Sequence, residues 1–223
     1  MAEKIIALLP MKGHSERVPN KNMRSFNGEP LYHHIVKTLL SISLIEKIIV
    51  NTDGQELKND IENHFPEIQI NNRPLEICGD LVPMNDIISY DLEKSGCTHY
   101  IQTHSTNPLV KASTIKRGIE KYFSILDKYD SLFSVTKLQT RLYWENAEPL
   151  NHNPKELLRT QDLPPVYEEN SNFYIFSKES FKTVGSKRIG RKPFMFEVPA
   201  IEAVDIDEEY DFILAEALQK IIQ

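Results

Sequence analysis

An alternation of short apolar runs with amphipathic segments, from the N-terminus to about residue 136, most constrains how this chain can fold. The apolar runs have the length of β-strands. The segments between them carry apolar residues at three- and four-residue spacing, so each can lay one helical face on a sheet. This pattern predicts an α/β domain with a mostly parallel sheet flanked by helices. The predicted strands are Lys4–Leu9, Lys47–Val50, Ile68–Ile70, Tyr100–Thr103 and Ser131–Val135, and the predicted helices are Leu31–Leu44, Gln55–Phe65, Asp86–Ser95 and Thr114–Ser124.

The alternation stops at about residue 137. Over residues 138–174 prolines are frequent, helix signals are few, and the single tryptophan, Trp144, is found. We predict an extended excursion here, whose aromatic side chains, such as Tyr143 and Trp144, suit a contact between subunits. A self-packed loop is the alternative. A strand over Phe173–Phe176 and an amphipathic helix over Tyr210–Ile222 are predicted to complete the chain.

Length and charge limit the classes of partner. At 223 residues the chain can build one sizeable core, which predicts a single domain over residues 1–223 with 138–174 as its extension. The net charge of −6 and the lack of a basic stripe argue against nucleic acid, and no run approaches the ~20 apolar residues of a membrane span. Cys78 and Cys97 are predicted to be buried thiols in a cytoplasmic protein, with one disulfide as the alternative.

A basic loop follows the first predicted strand. Within Pro10–Asn22 a single glycine, Gly13, lies among Lys12, Arg17 and Lys21. A glycine lets the backbone approach a ligand closely, and clustered cations can neutralise phosphate groups. The loop therefore predicts an anion site, with a simply solvated basic loop as the alternative.

Two further segments lie at predicted strand ends, where ligands bind in open α/β sheets. Asp53 with Glu56 matches a capping box, which predicts a helix starting just after Asp53. His104 follows the strand at Tyr100–Thr103 and is a site candidate, or else a hydrogen-bonded structural histidine. His33 and His34 point roughly 100° apart on a predicted helix, so we predict packing roles rather than a shared metal.

The segment Asp205-Ile206-Asp207 places two carboxylates two residues apart. On an extended chain both point to one face while Ile206 faces the core. Mg²⁺ commonly takes one or two protein carboxylates together with water and phosphate oxygens, so this pair predicts a metal site. The alternative is that Asp207 caps the last helix. The chain lacks the glycine-rich P-loop and dinucleotide-binding motifs, the zinc-protease and serine-hydrolase motifs, and any C-x-x-C pair.

In their order, these segments resemble the acylneuraminate cytidylyltransferase family, the CMP-sialic acid and CMP-nonulosonic acid synthetases, from about residue 5 to 218. The resemblance implies a Rossmann-like α/β fold in which an extension is exchanged between the subunits of a homodimer, and residues 138–174 fall at that extension. The matching segments are Pro10–Asn22, Asn51–Asp53, Arg73–Glu76 with Asp80, Thr106–Leu109, Gln161–Tyr167, and Ala203–Asp207 with Asp211 and Phe212.

The resemblance implies a Mg²⁺-dependent transfer of CMP from CTP to an acidic sugar, with release of pyrophosphate, for surface polysaccharide synthesis. It implies that Lys12, Arg17, Lys21 and Asp207 act in catalysis and that Asp205 and Asp207 hold Mg²⁺. Lys12, Arg17 and Lys21 would hold phosphates. The implied substrate-binding residues are Gly13 and Ser15 in the loop, Asn22 at the nucleotide, Arg73 at the cytosine, and Asp80, His104, Arg159, Gln161, Tyr167 and Asn170.

Departures from the family pattern concern the acceptor. His104 stands for a glutamine, Val110, Thr160 and Glu168 stand for frequent arginines, and Ser171 stands for a glycine, while Lys12 often reads as arginine in the family. Arg141 and Arg159 remain as candidate partners of an acceptor carboxylate, from this subunit or its partner. We therefore expect a nonulosonic acid other than N-acetylneuraminate, or else 3-deoxy-octulosonate or a phosphonate. A metal-dependent nucleotide-sugar glycosyltransferase and a non-catalytic nucleotide-binding homologue are the remaining alternatives.

Overall fold

The computed structural model describes residues 4–222, which build a seven-stranded sheet in the order β5-β4-β1-β6-β8-β7-β9 and a small β2-β3 hairpin. The strands are β1 (Ile5–Met11), β2 (Ser25–Phe26), β3 (Glu29–Pro30), β4 (Ile45–Thr52), β5 (Gln69–Asn72), β6 (His99–Thr103), β7 (Ser131–Leu138), β8 (Val166–Ser177) and β9 (Pro193–Glu197). The helices are α1 (Leu31–Leu40), α2 (Gln55–His64), α3 (Met84–Ser95), α4 (Ala112–Ser124), α5 (Lys178–Thr183) and α6 (Glu209–Ile222).

The sheet is mostly parallel, as the sequence predicts. β1 pairs in parallel with β4 and β6, β4 with β5, and β7 with β9, whereas β8 runs antiparallel between β6 and β7. The carboxyl ends of β1, β4 and β6 therefore meet at one edge. Loops that leave these strands converge there, and this edge carries the candidate site.

The burial of strand β1 shows that the sheet is covered on both faces. All of its residues are buried. Ile5, Ala7 and Leu9 join one apolar cluster, while Ile6 and Leu8 join another. Because successive strand residues point to opposite faces, a continuous apolar run is what a doubly covered strand requires.

Some elements differ from the predictions. Helix α5 and strand β9 were not predicted, because neither has a long periodic pattern. Helix α1 ends at Leu40 rather than at Leu44. Strand β8 begins at Val166 and includes the predicted strand Phe173–Phe176.

Of the predicted extension of residues 138–174, residue 138 ends β7 and residues 166–174 belong to β8; the irregular part is 139–165, and the name extension refers to it from here on. It contains one isolated β-bridge, between Tyr143 and Pro149. Asn151 holds its two ends together, because its Nδ2 donates to Thr140 O at 2.7 Å and to Pro164 O at 3.0 Å. Tyr143 and Trp144 are exposed on its surface, as are Leu157 and Leu158. Exposed aromatic and apolar side chains are what a contact between subunits would use.

Among residues 4–222, no helix is long and apolar enough to cross a membrane. Cys78 and Cys97 are free thiols, and both are half-buried rather than fully buried.

Candidate active site

A cleft of about 510 Å³ opens at the carboxyl edge of the sheet. Its walls come from the loop after β1, the end of β6 and the loop before α6. The predicted site residues that line it are Lys12, Ser15, Arg17, Lys21, Asn22, Asp80, His104, Asp205 and Asp207. Segments far apart in the sequence thus meet at the position that the α/β pattern predicts.

Cations of the basic loop face the carboxylates of the loop before α6, and we call this the carboxylate side of the cleft. Arg17 Nη2 lies 2.7 Å from Asp207 Oδ1, and Arg17 Nη1 lies 3.2 Å from Glu208 Oε1. Lys21 Nζ donates to the backbone oxygen of Ile206 and lies 3.9 Å from Asp207 Oδ1. In this state the cations and carboxylates neutralise one another.

Lys21 and Arg17 differ in their exposure. The Lys21 side chain is 12% exposed and that of Arg17 is 57% exposed. Burial lowers the pKa of Lys21, an effect opposed by the negative charges of Asp207 and Asp205. An ammonium group removed from water in this way gains most from a further anion close by.

The carboxylate pair shows the predicted alternation. Ile206 is fully buried against a cluster with Phe26 and Phe212, while Asp205 and Asp207 line the cleft. Burial chiefly raises the pKa of Asp205, and the neighbouring charge of Asp207 adds to it. Among the described residues, Asp205 Oδ1 is buried without a hydrogen-bond partner.

The helix-cap alternative for Asp207 finds no support in these contacts. The carboxylate of Asp207 pairs with Arg17. Asp211 instead accepts from the backbone N–H groups of Asp207 and Glu208, at 3.1 and 2.8 Å. The carboxylate of Asp207 therefore remains directed to the cleft.

The predicted capping box at Asp53 is wrong. Helix α2 begins at Gln55, its N-cap residue is Gly54, and no side chain caps it. Asp53 Oδ1 instead accepts from the Gly13 N–H at 2.7 Å, because the basic loop passes directly over this strand end. A Cβ atom on Gly13 would lie 2.4 Å from the Cα of Gly54, so the contact requires glycine. Gly13 anchors the loop and does not line the cleft.

The side chains of Lys12 and Asn22 connect the basic loop to neighbouring segments. Lys12 Nζ lies 2.7 Å from Asp80 Oδ1, which ties the basic loop to the segment before α3. Asn22 Nδ2 donates to Lys12 O at 3.0 Å, and Asn22 Oδ1 accepts from Ser105 Oγ at 2.6 Å. Asn22 therefore links the loop to the end of β6.

Arg73 lies beneath the cleft rather than in its wall. Its Nε donates to Asn51 Oδ1 at 2.8 Å, and its Nη2 donates to Met11 O and Asn51 O at 3.2 and 3.0 Å. Asn51 and Asn71 in turn each donate to Asp91 Oδ1 at 2.8 Å. Arg73 Nη1 is buried and has no partner among residues 4–222, so it is a donor that a bound ligand could satisfy.

Another part of the cleft lining, which we call the histidine side, contains His104, which is connected to Gln102 and Arg188, two residues that the sequence did not indicate. Gln102 Nε2 lies 3.0 Å from His104 Nε2, and Arg188 Nη1 donates to Gln102 Oε1 at 2.6 Å. The Arg188 guanidinium also lies 4.0 Å from the centre of the Tyr174 ring. Burial, with the charges of Arg188 and Lys21, lowers the pKa of His104 to about 4. His104 is therefore neutral at physiological pH.

Ser171 borders the same wall. Its φ angle is 57°, in the left-handed region that glycine adopts without cost. This is the position at which the resembling family carries glycine. Its Oγ lies 3.1 Å from Tyr174 OH, which itself donates to Glu169. The serine therefore adds a hydroxyl to the wall at some backbone cost.

Several predicted binding residues do not line the cleft of their own chain. Arg159 pairs with Asp162 at 2.7 Å on the extension, where Gln161 is also exposed. Tyr167 is exposed on β8, and Asn170 is buried with its Nδ2 on Thr136 Oγ1 at 3.0 Å. Arg141, also on the extension, donates to the backbone oxygen of Leu158.

The adjacent histidines are packing residues, as predicted. His33 Nε2 lies 2.6 Å from Asp60 Oδ2, and His64 Nδ1 donates to the backbone oxygen of Asp60 at 3.0 Å. The three side chains lie close together, and both histidines contact Asp60. The cluster joins α1 to α2. His34 contacts Gln219 on α6 at 3.0 Å.

Comparisons with known proteins agree with this architecture. The chain is 22% identical over 233 residues to N-acylneuraminate cytidylyltransferase of Escherichia coli O18:K1:H7, a match that covers 99% of this chain and 53% of the relative. The chain thus spans about half the length of that protein. It is 23% identical over 244 residues to pseudaminic acid cytidylyltransferase of Campylobacter jejuni serotype O:2, covering 98% and 97% of the two chains.

A solved structure shows the same fold at low identity. CMP:2-keto-3-deoxy-manno-octonic acid synthetase complexed with CTP aligns with a TM-score of 0.69 and 12% identity, covering 99% of this chain and 100% of that one. The family model described as "Cytidylyltransferase" matches residues 6–222. Because that match covers nearly the whole sequence, this chain belongs to the cytidylyltransferase family.

Proposed function

We propose that this protein transfers CMP from CTP to a hydroxyl group of an acidic sugar of the nonulosonic acid class and releases pyrophosphate. The observation that carries the proposal is the convergence of Arg17, Lys21, Asp205 and Asp207 on one cleft at the carboxyl edge of the sheet. The names of the curated relatives support the nucleotide and the class of acceptor.

The carboxylate side would bind the triphosphate. Lys21, whose charge is poorly hydrated, would contact one phosphate group, and Arg17 would exchange Asp207 for another. Charged hydrogen bonds to phosphate are strong because both partners are ionised. Lys12 would join them on release from Asp80. These groups would hold the α-phosphate in line with the attacking hydroxyl and stabilise the charge that develops on its oxygens.

The residues present fit Mg²⁺. Asp205 offers a buried carboxylate oxygen without a partner among the described residues, and Asp207 lies two residues away on the same wall. Hard oxygen ligands of this kind suit Mg²⁺. Asp205 and Asp207 would hold Mg²⁺, which would supply positive charge to the phosphate oxygens.

The histidine side would bind the acceptor, because it lines the same cleft as the carboxylate side that would hold the triphosphate. His104 and Ser171 line this wall. Arg159, Gln161 and Tyr167 would reach an acceptor only in the partner subunit's cleft, since they lie away from their own. The exposed apolar residues of the extension support a homodimer that would bring them there.

The decisive experiment measures pyrophosphate release with Mg²⁺ and CTP against N-acetylneuraminate, legionaminate, pseudaminate, 3-deoxy-octulosonate and simple phosphonates. ATP, GTP and UTP serve as nucleotide controls. We expect release that requires both CTP and one nonulosonic acid, with the CMP-sugar as co-product. Release with only 3-deoxy-octulosonate or a phosphonate would overturn the acceptor class. Transfer from a preformed nucleotide sugar without pyrophosphate would overturn the reaction.

A further inference from the structure

A chain of directional hydrogen bonds leads from Arg188 through Gln102 to His104. Arg188 Nη1 donates to Gln102 Oε1 at 2.6 Å, and Gln102 Nε2 donates to Thr103 O at 2.8 Å. The same Gln102 nitrogen lies 3.0 Å from His104 Nε2. Gln102 itself is fully buried in β6.

The chemistry of the end groups fixes the direction of each bond. A guanidinium has only donors, so the group of Gln102 that faces Arg188 must be its oxygen. A backbone carbonyl only accepts, so the group that faces Thr103 O must be the Gln102 amide nitrogen. Both ends therefore require the same orientation of the amide.

The amide orientation determines the state of His104. Gln102 Nε2 presents an N–H to His104 Nε2, so that ring nitrogen must accept and carries no proton. A neutral imidazole then has its proton on Nδ1. His104 Nδ1 has no hydrogen-bond partner among the described residues, and His104 lines the cleft.

We infer that Arg188 is a positioning residue which, through Gln102, holds His104 as the neutral Nδ1–H tautomer, so that His104 donates an uncharged hydrogen bond to an oxygen of the acceptor. That the acceptor receives this bond rests on the proposed function, whereas the tautomer follows from the hydrogen bonds alone.

The surroundings of Arg188 support a positioning role. Its guanidinium lies over the Tyr174 ring at 4.0 Å, and the Tyr174 hydroxyl donates to Glu169. Arg188 is not among the residues that line the cleft, and hydrogen bonds connect it to His104 through Gln102. Stacking on a fixed ring restrains the guanidinium and thereby the amide that it contacts.

The first test observes the tautomer directly, in protein without ligands. Two-bond ¹H–¹⁵N spectra of ¹⁵N-labelled protein near pH 7 distinguish protonated from unprotonated ring nitrogens, and His104→Gln identifies the His104 signals. We expect a protonated Nδ1 and an unprotonated Nε2. An Nε2–H tautomer, or an imidazolium, in the unmodified protein would overturn the inference.

Two variants test the hydrogen-bond chain from Arg188 to His104. In Gln102→Glu the new carboxylate can only accept, so His104 Nε2 is expected to become protonated. In Arg188→Met the amide loses one of its two constraints, and mixed tautomers are expected. Arg191→Met is the matched control, because Arg191 is exposed three residues away and its guanidinium donates to Thr183 O at 3.4 Å, outside the hydrogen-bond chain through Gln102. Thermal unfolding shows whether Gln102→Glu and Arg188→Met are folded. Unchanged His104 signals in both folded variants would show that the hydrogen-bond chain does not set the tautomer.

Kinetics then test the contact with the acceptor. Arg188→Met is expected to raise the acceptor KM about tenfold while the CTP KM stays unchanged, since one neutral hydrogen bond is misdirected. An equal rise for both substrates would contradict a role limited to the acceptor. If no acceptor supports turnover at all, the proposed function fails, while the spectra still decide the tautomer.

Discussion

The two sides of the cleft prepare for their ligands in different ways. On the carboxylate side, opposite charges pair with one another, and under the proposed function Arg17 and Asp207 would exchange partners when a triphosphate binds. On the histidine side, Gln102 and Arg188 hold a neutral imidazole through directed hydrogen bonds. The first side can bind tightly through charge. The second can discriminate by the position of a donor, which is how polar groups select between similar substrates.

The largest expected effect comes from the carboxylates. Asp207→Asn removes one ligand charge from the proposed metal site, and turnover is expected to fall at least about 100-fold, since even indirect partners of metal ligands cost up to this much. Steady-state rates over a Mg²⁺ titration provide the measurement. Glu208→Gln is the matched control, because Glu208 is adjacent and also pairs with Arg17. Near-normal turnover of Asp207→Asn at limiting Mg²⁺ would rule out the metal role.

Lys21→Ala tests whether charge dominates nucleotide binding. The loss of one charged hydrogen bond costs about 2 kcal/mol, or roughly 30-fold in CTP KM. The acceptor KM is expected to stay constant, which would separate the two sides. Lys12→Ala is expected to have a smaller effect, because Lys12 is more exposed and already paired with Asp80. An unchanged CTP dependence in Lys21→Ala would remove Lys21 from the phosphate site.

A change on the extension tests whether the histidine side needs a second subunit. Trp144→Asp is expected to weaken self-association about tenfold and to raise the acceptor KM at low protein concentration, because exposed aromatic residues often anchor interfaces. Sedimentation over a range of protein concentrations measures the self-association, and steady-state rates at the same concentrations measure the acceptor KM. Tyr210→Asp is the control, since Tyr210 is 69% exposed on α6 and Trp144 is 60% exposed on the extension. A monomeric parent protein with full activity would refute the contribution of a partner.

The smallest effect concerns pH and the neutral imidazole. The pKa of His104 is lowered from 6.5 to about 4, so the unfolded chain binds its proton first as pH falls. His104 therefore contributes stability above about pH 6.5 that is progressively lost between about pH 6.5 and 4. Relative to His104→Gln, the unmodified protein is expected to lose about 1–2 kcal/mol on acidification to about pH 5. Denaturant unfolding at several pH values measures this. If the free energy of unfolding falls equally with pH in the unmodified protein and in His104→Gln, His104 is not held neutral in the folded state.

The sequence predicted the carboxylate side better than the histidine side, for a physical reason. Lys21 and Asp207 belong to loops at ends of elements whose periodicity is strong, so their meeting follows from the topology. Arg188 lies between α5 and β9, in a segment without periodic pattern, and only the tertiary fold brings it to Gln102. Asp53 was misassigned because a capping pattern and an anchor for a neighbouring loop use the same side chain.

The overall fold was predictable to a similar degree. The continuous apolar run of β1 and the spaced apolar residues of α1 and α4 identify an α/β sheet without further information. β9 was missed because its side chains are only partly buried or exposed, so its hydrophobic pattern is weak. Arg73 could not be placed beneath the cleft from the sequence, since its partners Met11 and Asn51 come from two other strands.

The ion pair between Arg17 and Asp207 has a thermodynamic consequence for ligand binding. A nucleotide that takes Arg17 alone leaves Asp207 without a counter-charge, and a cation that takes Asp207 alone leaves Arg17 without one. Each ligand therefore removes a penalty that the other would otherwise meet. If the proposed metal and nucleotide bind here, linkage requires that each raise the affinity of the other by the same factor, so the cleft would favour a metal–nucleotide complex over either component.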